Sequence, residues 1–110
     1  MIIEKTEIAT IFKDEKKSIK NFFKDFSENY SSFANDNIII EFSDNKGEEK
    51  ENSLLFLQYS EEHRNNGMSF VIVINGINTD DFPDEMIIVP TITEAKDIIE
   101  MENIERDLGF

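Results

Sequence analysis

Between Asn37 and Val73 the sequence passes from one apolar run to another through a helical stretch, and this pattern constrains the fold most. Asn37-Ile38-Ile39-Ile40-Glu41-Phe42 is β-branched and lacks the apolar–polar alternation of a half-exposed strand, which predicts a strand buried on both faces. Ser53-Leu54-Leu55-Phe56-Leu57-Gln58-Tyr59 reads as helix and runs to Asn65-Asn66-Gly67, where glycine supplies a stop. Phe70-Val71-Ile72-Val73-Ile74 is a second buried strand. Strand, helix, strand is a crossover unit, and such units join parallel neighbours. The expected class is α/β.

The flanking segments extend this unit. Ile2-Ile3-Glu4-Lys5-Thr6-Glu7 and Ile8-Ala9-Thr10-Ile11-Phe12 predict a small hairpin or one bent edge strand, with Glu4, Lys5, Glu7 and Lys13 blunting an open edge. From Asp14, a fitting N-cap, the period lengthens. Ile19, Phe22, Phe23, Phe26, Tyr30 and Phe33 recur at three- and four-residue spacings and form one apolar helical stripe. Four Phe on one stripe could line a ligand groove, but this spacing is that of a core face. Asn75 to Glu85 is turn-rich, and Met86-Ile87-Ile88-Val89 before Pro90 is a last strand. Thr91-Ile92-Thr93-Glu94 is a capping box that opens a final helix. Ala95, Ile98 and Ile99 form its apolar face, and Met101, Ile104 and Leu108 are expected to extend its helical register. Glu100, Glu102, Glu105 and Asp107 oppose the helix dipole, so fraying is expected from residue 100 to 110 unless Arg106 or a partner compensates. The whole, residues 1–110, is expected to be a single domain. It would hold a four- or five-stranded mixed sheet, parallel at its centre, and about three helices.

Charge and composition narrow the function classes. With 24 acidic against 11 basic residues the formal net charge is -13, which would repel nucleic acid and anionic membrane surfaces. A basic protein partner fits this charge; so does plain solubility. The chain has no cysteine, which removes disulfides, thiol catalysis and thiolate-held metals. Met1-Ile2-Ile3 runs into Glu4 and Lys5 with no basic-then-apolar leader, so a cytoplasmic protein is expected.

Asn37 to Phe42, the Leu-rich helix ending at Gly67, Phe70 to Ile74, and Val89-Pro90-Thr91-Ile92-Thr93-Glu94-Ala95 together resemble a STAS domain, the family of the anti-sigma-factor antagonists. Thr91, Glu94 and Ala95 match the family's threonine–x–x–glutamate–alanine helix start. The resemblance covers nearly the whole chain through element order and apolar pattern. It implies a non-enzymatic interaction domain that docks an anti-sigma or other regulatory kinase-like factor. The docking surface would be the loop and helix start after the central strand: Ser43, Asp44, Asn45, Lys46, Gly47, Glu48, Glu49, Asn52 and Ser53. The acidic C-terminal run is a second candidate surface. Family antagonists carry a phosphorylatable serine there, in an Asp-Ser-Ser-Gly-like turn. Here that string is absent, and the switch position falls near Glu49 or Lys50. Glu49 would replace a switchable charge with a constant one. Ser53 is the nearest hydroxyl and suits a helix cap better than a phosphosite.

The C-terminal run Ile98 to Phe110 is also similar to the ending of small Bacteroidetes proteins, some of which carry the name ribonuclease Z. A nuclease of that kind needs several His and Asp ligands for two metals. The sole histidine, His63 in Glu61-Glu62-His63-Arg64, cannot build such a site and reads as a solvated residue near a helix end. The competing hypothesis is therefore an accessory to an RNA-processing nuclease, without intrinsic metal-dependent catalysis. Asp80, Asp81, Asp84 and Glu85 could in principle hold a divalent cation, but Pro83 interrupts them and their spacing matches no calcium loop. Glu61 and Glu62, adjacent on a helix, point apart and make no acid–base pair. No cofactor and no metal is expected. Self-association through an edge strand is a further possibility, and the sequence leaves the oligomeric state open.

Overall fold

The computed structural model describes residues 1–14, 19–42, 53–75 and 82–109, and is an α/β fold built on one five-stranded sheet. The strands are β1 (Ile2–Lys5), β2 (Thr10–Lys13), β3 (Ile38–Glu41), β4 (Phe70–Val73) and β5 (Ile87–Val89). They lie in the order β1-β2-β3-β4-β5, with only the β1–β2 pair antiparallel. Ile39 is directly opposite Val71, so the two buried runs are parallel neighbours as their connection requires.

Helix α1 covers Ile19–Asn29 and tightens into a 3-10 turn at Tyr30–Phe33. The expected stripe therefore packs inward from Phe22 to Phe33, but its last turn is not α-helical. Asn29 donates its side-chain amide to the Asp25 carbonyl (2.8 Å), a local bond of the kind that competes with helix continuation. A 3-10 turn, Leu54–Phe56, leads into α2 (Leu57–Asn65), and α3 spans Ile92–Asp107. Gly67, at φ +84°, closes α2: its amide donates to the Arg64 carbonyl and that of Met68 to the His63 carbonyl. This is a Schellman stop, and the positive φ explains why glycine sits there. At the hairpin, the Thr6 hydroxyl accepts from the Ile8 and Ala9 amides and donates to the Ala9 carbonyl, holding β1 against β2.

Strand alternation divides the interior into two layers. Phe12, Ile38, Ile40, Phe70, Ile72 and Ile88 face α1 and α2 and pack with Phe22, Phe26, Phe42 and Phe56. Ile11, Ile39, Val71 and Val73 face the other way and pack under Ala95 and Ile99 of α3. The two faces differ in kind. Phe26 stands edge-on to Phe12 (5.0 Å between centroids), Tyr59 (5.2 Å) and Phe70 (6.0 Å), geometries favoured by the ring quadrupole. The α3 layer is aliphatic. No described helix is long and apolar enough to cross a membrane.

Candidate functional site

Of the expected docking loop, Ser43, Asp44, Asn45, Lys46, Gly47, Glu48, Glu49 and Asn52 lie outside the described residues, as do Lys50, Asp80 and Asp81. Its two ends are placed. Phe42 leaves β3 at the carboxyl edge of the sheet, its amide bonded to the Val73 carbonyl (3.1 Å). Ser53 re-enters fully buried, immediately before the 3-10 turn, and its side chain makes no capping bond to that turn. The expectation of a Ser53 cap is thus not met on this turn, and the side chain is buried.

His63 corrects the sequence reading most sharply. It is not solvated: it is fully buried, in the aromatic layer, with its ring against Tyr30 and Phe70. Nε2 lies 2.6 Å from the Asp36 carbonyl and Nδ1 lies 2.7 Å from the Tyr30 hydroxyl. A carbonyl can only accept, so Nε2 carries the proton and Nδ1 accepts from Tyr30. Burial pushes the His63 pKa down, opposed by its bond to the Asp36 carbonyl, and leaves the ring neutral. Burial likewise raises the Tyr30 pKa, aided by the Glu62 carboxylate. Both imidazole nitrogens are therefore committed to tying α2 to the chain before β3. The signal in the sequence was spacing: Phe56, Ser60 and His63, four and three residues apart, occupy one buried stripe.

The C-terminal helix changes character along its length. Its first half behaves as expected. The Thr91 hydroxyl accepts from the Glu94 amide (3.2 Å) and lies 3.3 Å from the Glu94 carboxylate, and Ala95 and Ile99 are buried. Beyond Ile99 the inward side turns polar. Arg106 donates to Asn103 Oδ1 (2.6 Å), Ser69 Oγ (3.0 Å) and Asn37 Oδ1 (3.3 Å). Ser69 Oγ donates to Glu102 Oε1 (2.5 Å), and Arg64 pairs with Glu102 Oε2 (3.2 Å). Asn37 also accepts from the Ser69 amide and donates to the Ile8 carbonyl and to Asn103. This network lies at the amino ends of β3 and β4. It holds the acidic end of α3 in helical form to Asp107, with Gly109 at φ +80° closing it, so Arg106 supplies the compensation that fraying would otherwise deny.

Met101, Ile104 and Leu108 continue the helical register as expected, but off its buried face. They are 57%, 60% and 66% exposed. The reason is phase: Ile104 lies five residues after Ile99, about 140° around the helix, and so points away from the sheet. Every charged residue exposed on α3 is an acid, namely Glu94, Asp97, Glu100, Glu105 and Asp107, while Lys96 and Arg106 are partly buried. The result is an apolar strip bordered by carboxylates.

Two hollows flank the polar network, one of about 240 Å³ beside Thr6, Thr10 and Asp36, one of about 220 Å³ beside Arg64, Glu102 and Arg106. In the second, guanidinium and carboxylate groups already pair with each other. Among the described residues no group of His, Asp and Glu is placed to hold a metal, and Asp84 and Glu85 are exposed. Compared with protein-family models, curated proteins and solved structures, the chain gave no match.

Proposed function

We propose that this chain is a non-enzymatic protein-interaction domain of the anti-sigma-factor-antagonist type, lacking the phosphorylatable-serine switch. The observation that carries the interaction reading is the outward apolar strip of α3, three large side chains that the described residues leave exposed. The element order supports the antagonist type: a hairpin, two helical crossovers, a final parallel strand and a Thr91-capped helix. The burial of Ser53 and the glutamate near the family's switch position support a constitutive partner surface. The sole histidine is occupied in the core, which supports the absence of intrinsic metal-dependent cleavage. The partner is a regulatory, kinase-like factor in the cytoplasm; the net charge of -13 speaks against nucleic acid.

Affinity purification of the tagged full chain from its native cell tests this reading. A stoichiometric regulatory protein is the expected result. Recovery of an RNA-processing nuclease in that place would establish the accessory role instead, and recovery of no stoichiometric protein would remove the interaction reading altogether.

A further inference from the structure

We propose that the outward face of α3 is a docking surface for a basic amphipathic helix of another protein. The inference rests on the interaction-domain reading and adds the chemistry of the partner.

The geometry is that of a helix-binding strip. Met101, Ile104 and Leu108, at spacings of three and four residues, fall within about 60° of one another around α3. That arc is opposite the one occupied by Ala95, Ile99 and Arg106, so the strip cannot be turned inward without dismantling the contacts beneath it. Glu94 and Glu105 border the strip on one side, Glu100 and Asp107 on the other, and Asp97 continues its line toward the amino end. All of these acids are exposed. Among the described residues, Lys96 stands one turn from Glu100, while the two neighbouring arginines are turned elsewhere. Arg106 is bonded to Asn37, Ser69 and Asn103, and Arg64 to Glu102. A bound helix would meet this face with a row of aliphatic side chains flanked by Lys or Arg, the helix-in-groove mode with charge added on both rims.

Charge also separates the candidate occupants. A second copy would bring an identical acidic rim and a net charge of -13 against the same on its partner, and an anionic membrane would be repelled in the same way. A cationic helix gains at both the strip and the rims.

The test uses the full chain and a synthetic helical peptide with a leucine stripe between rows of lysine, followed by amide shift changes in nuclear magnetic resonance. Binding that perturbs Met101, Ile104 and Leu108, weakens with added salt and falls about tenfold or more in Ile104→Asp supports the proposal. Met101→Ser and Glu100→Gln should each weaken it, with the thermal midpoint of every variant unchanged as proof of folding. Equal binding of the same stripe flanked by glutamate overturns the proposal, as does binding indifferent to Ile104→Asp. So does a concentration-dependent dimer in sedimentation that Ile104→Asp returns to monomer, or retention on phosphatidylserine vesicles lost in that variant. Repeating the native-cell purification with Ile104→Asp separates the two readings. A stoichiometric partner retained by the variant sinks the α3 surface alone; no partner for the wild-type chain sinks the interaction domain itself.

Discussion

The two faces of the sheet are covered by different means. On one, α1 and α2 press a set of phenylalanines onto Phe12, Ile38, Ile40 and Phe70, and the only buried polar ring, His63, has both nitrogens bonded. On the other, α3 contributes Ala95 and Ile99 to an aliphatic layer and then relies on Arg106, Asn103 and Glu102 to reach Asn37 and Ser69. Aromatic burial scales with area and tolerates no polar error. A network of hydrogen bonds contributes less per group but fixes position. The first layer is built for stability, and the second holds a helix in place while leaving its far side open to other molecules.

Phe26→Ala should produce the largest loss, since it removes a ring with edge contacts to Phe12, Tyr59 and Phe70: about 3–5 kcal/mol, read from the urea midpoint. A loss near that of a surface change would show that the aromatic layer is not the stabilising one. His63→Leu leaves the Asp36 carbonyl and the Tyr30 hydroxyl without their partner and should cost about 1–3 kcal/mol.

The same variant has a pH signature. In the folded chain the His63 pKa lies below the ordinary 6.5, so the unfolded chain takes the proton first as pH falls. Stability contributed by the neutral ring is complete above about pH 6.5 and declines as pH drops from there toward the lower folded value. The difference in stability between wild type and His63→Leu should shrink across that window; a difference constant in pH would mean that folding leaves the His63 pKa unchanged.

Smaller effects are expected on the α3 side. Arg106→Met should cost about 1–2 kcal/mol, concentrated in faster amide exchange of the last two turns of α3 with β4 unaffected. Uniform acceleration throughout the sheet would join the two layers into one cooperative unit. Thr91→Ala should cost about 1 kcal/mol through loss of the bond from the Glu94 amide. Ile104→Asp, on the exposed strip, should change stability by less than about 0.5 kcal/mol while abolishing partner capture.

What could be read in the sequence, and what could not, follows the same division. The β3 and β4 runs were legible because a strand buried on both faces needs no phase to be assigned: Ile38, Ile39 and Ile40 are all apolar, whichever way each points. The Thr91–Glu94 start of α3 was legible because capping is local chemistry. The misreading of His63 turns on helical phase. His63 is surrounded in sequence by Glu61, Glu62 and Arg64, and only its register with Phe56 and Ser60 places it inside. Met101, Ile104 and Leu108 have a helical period of their own, but one rotated away from that of Ala95 and Ile99. The network of Asn37, Ser69 and Arg106 joins residues 32, 37 and 69 positions apart and leaves no local trace.

Asp36 and Asn37 are consecutive residues answering to opposite layers. The Asp36 carbonyl holds the His63 imidazole of α2, while the Asn37 amide holds Asn103 and Arg106 of α3. One backbone carbonyl and the next residue's side chain thus serve as a rivet between the two sides of the sheet. A pull on the outer helix is delivered to the opposite side without travelling along any strand.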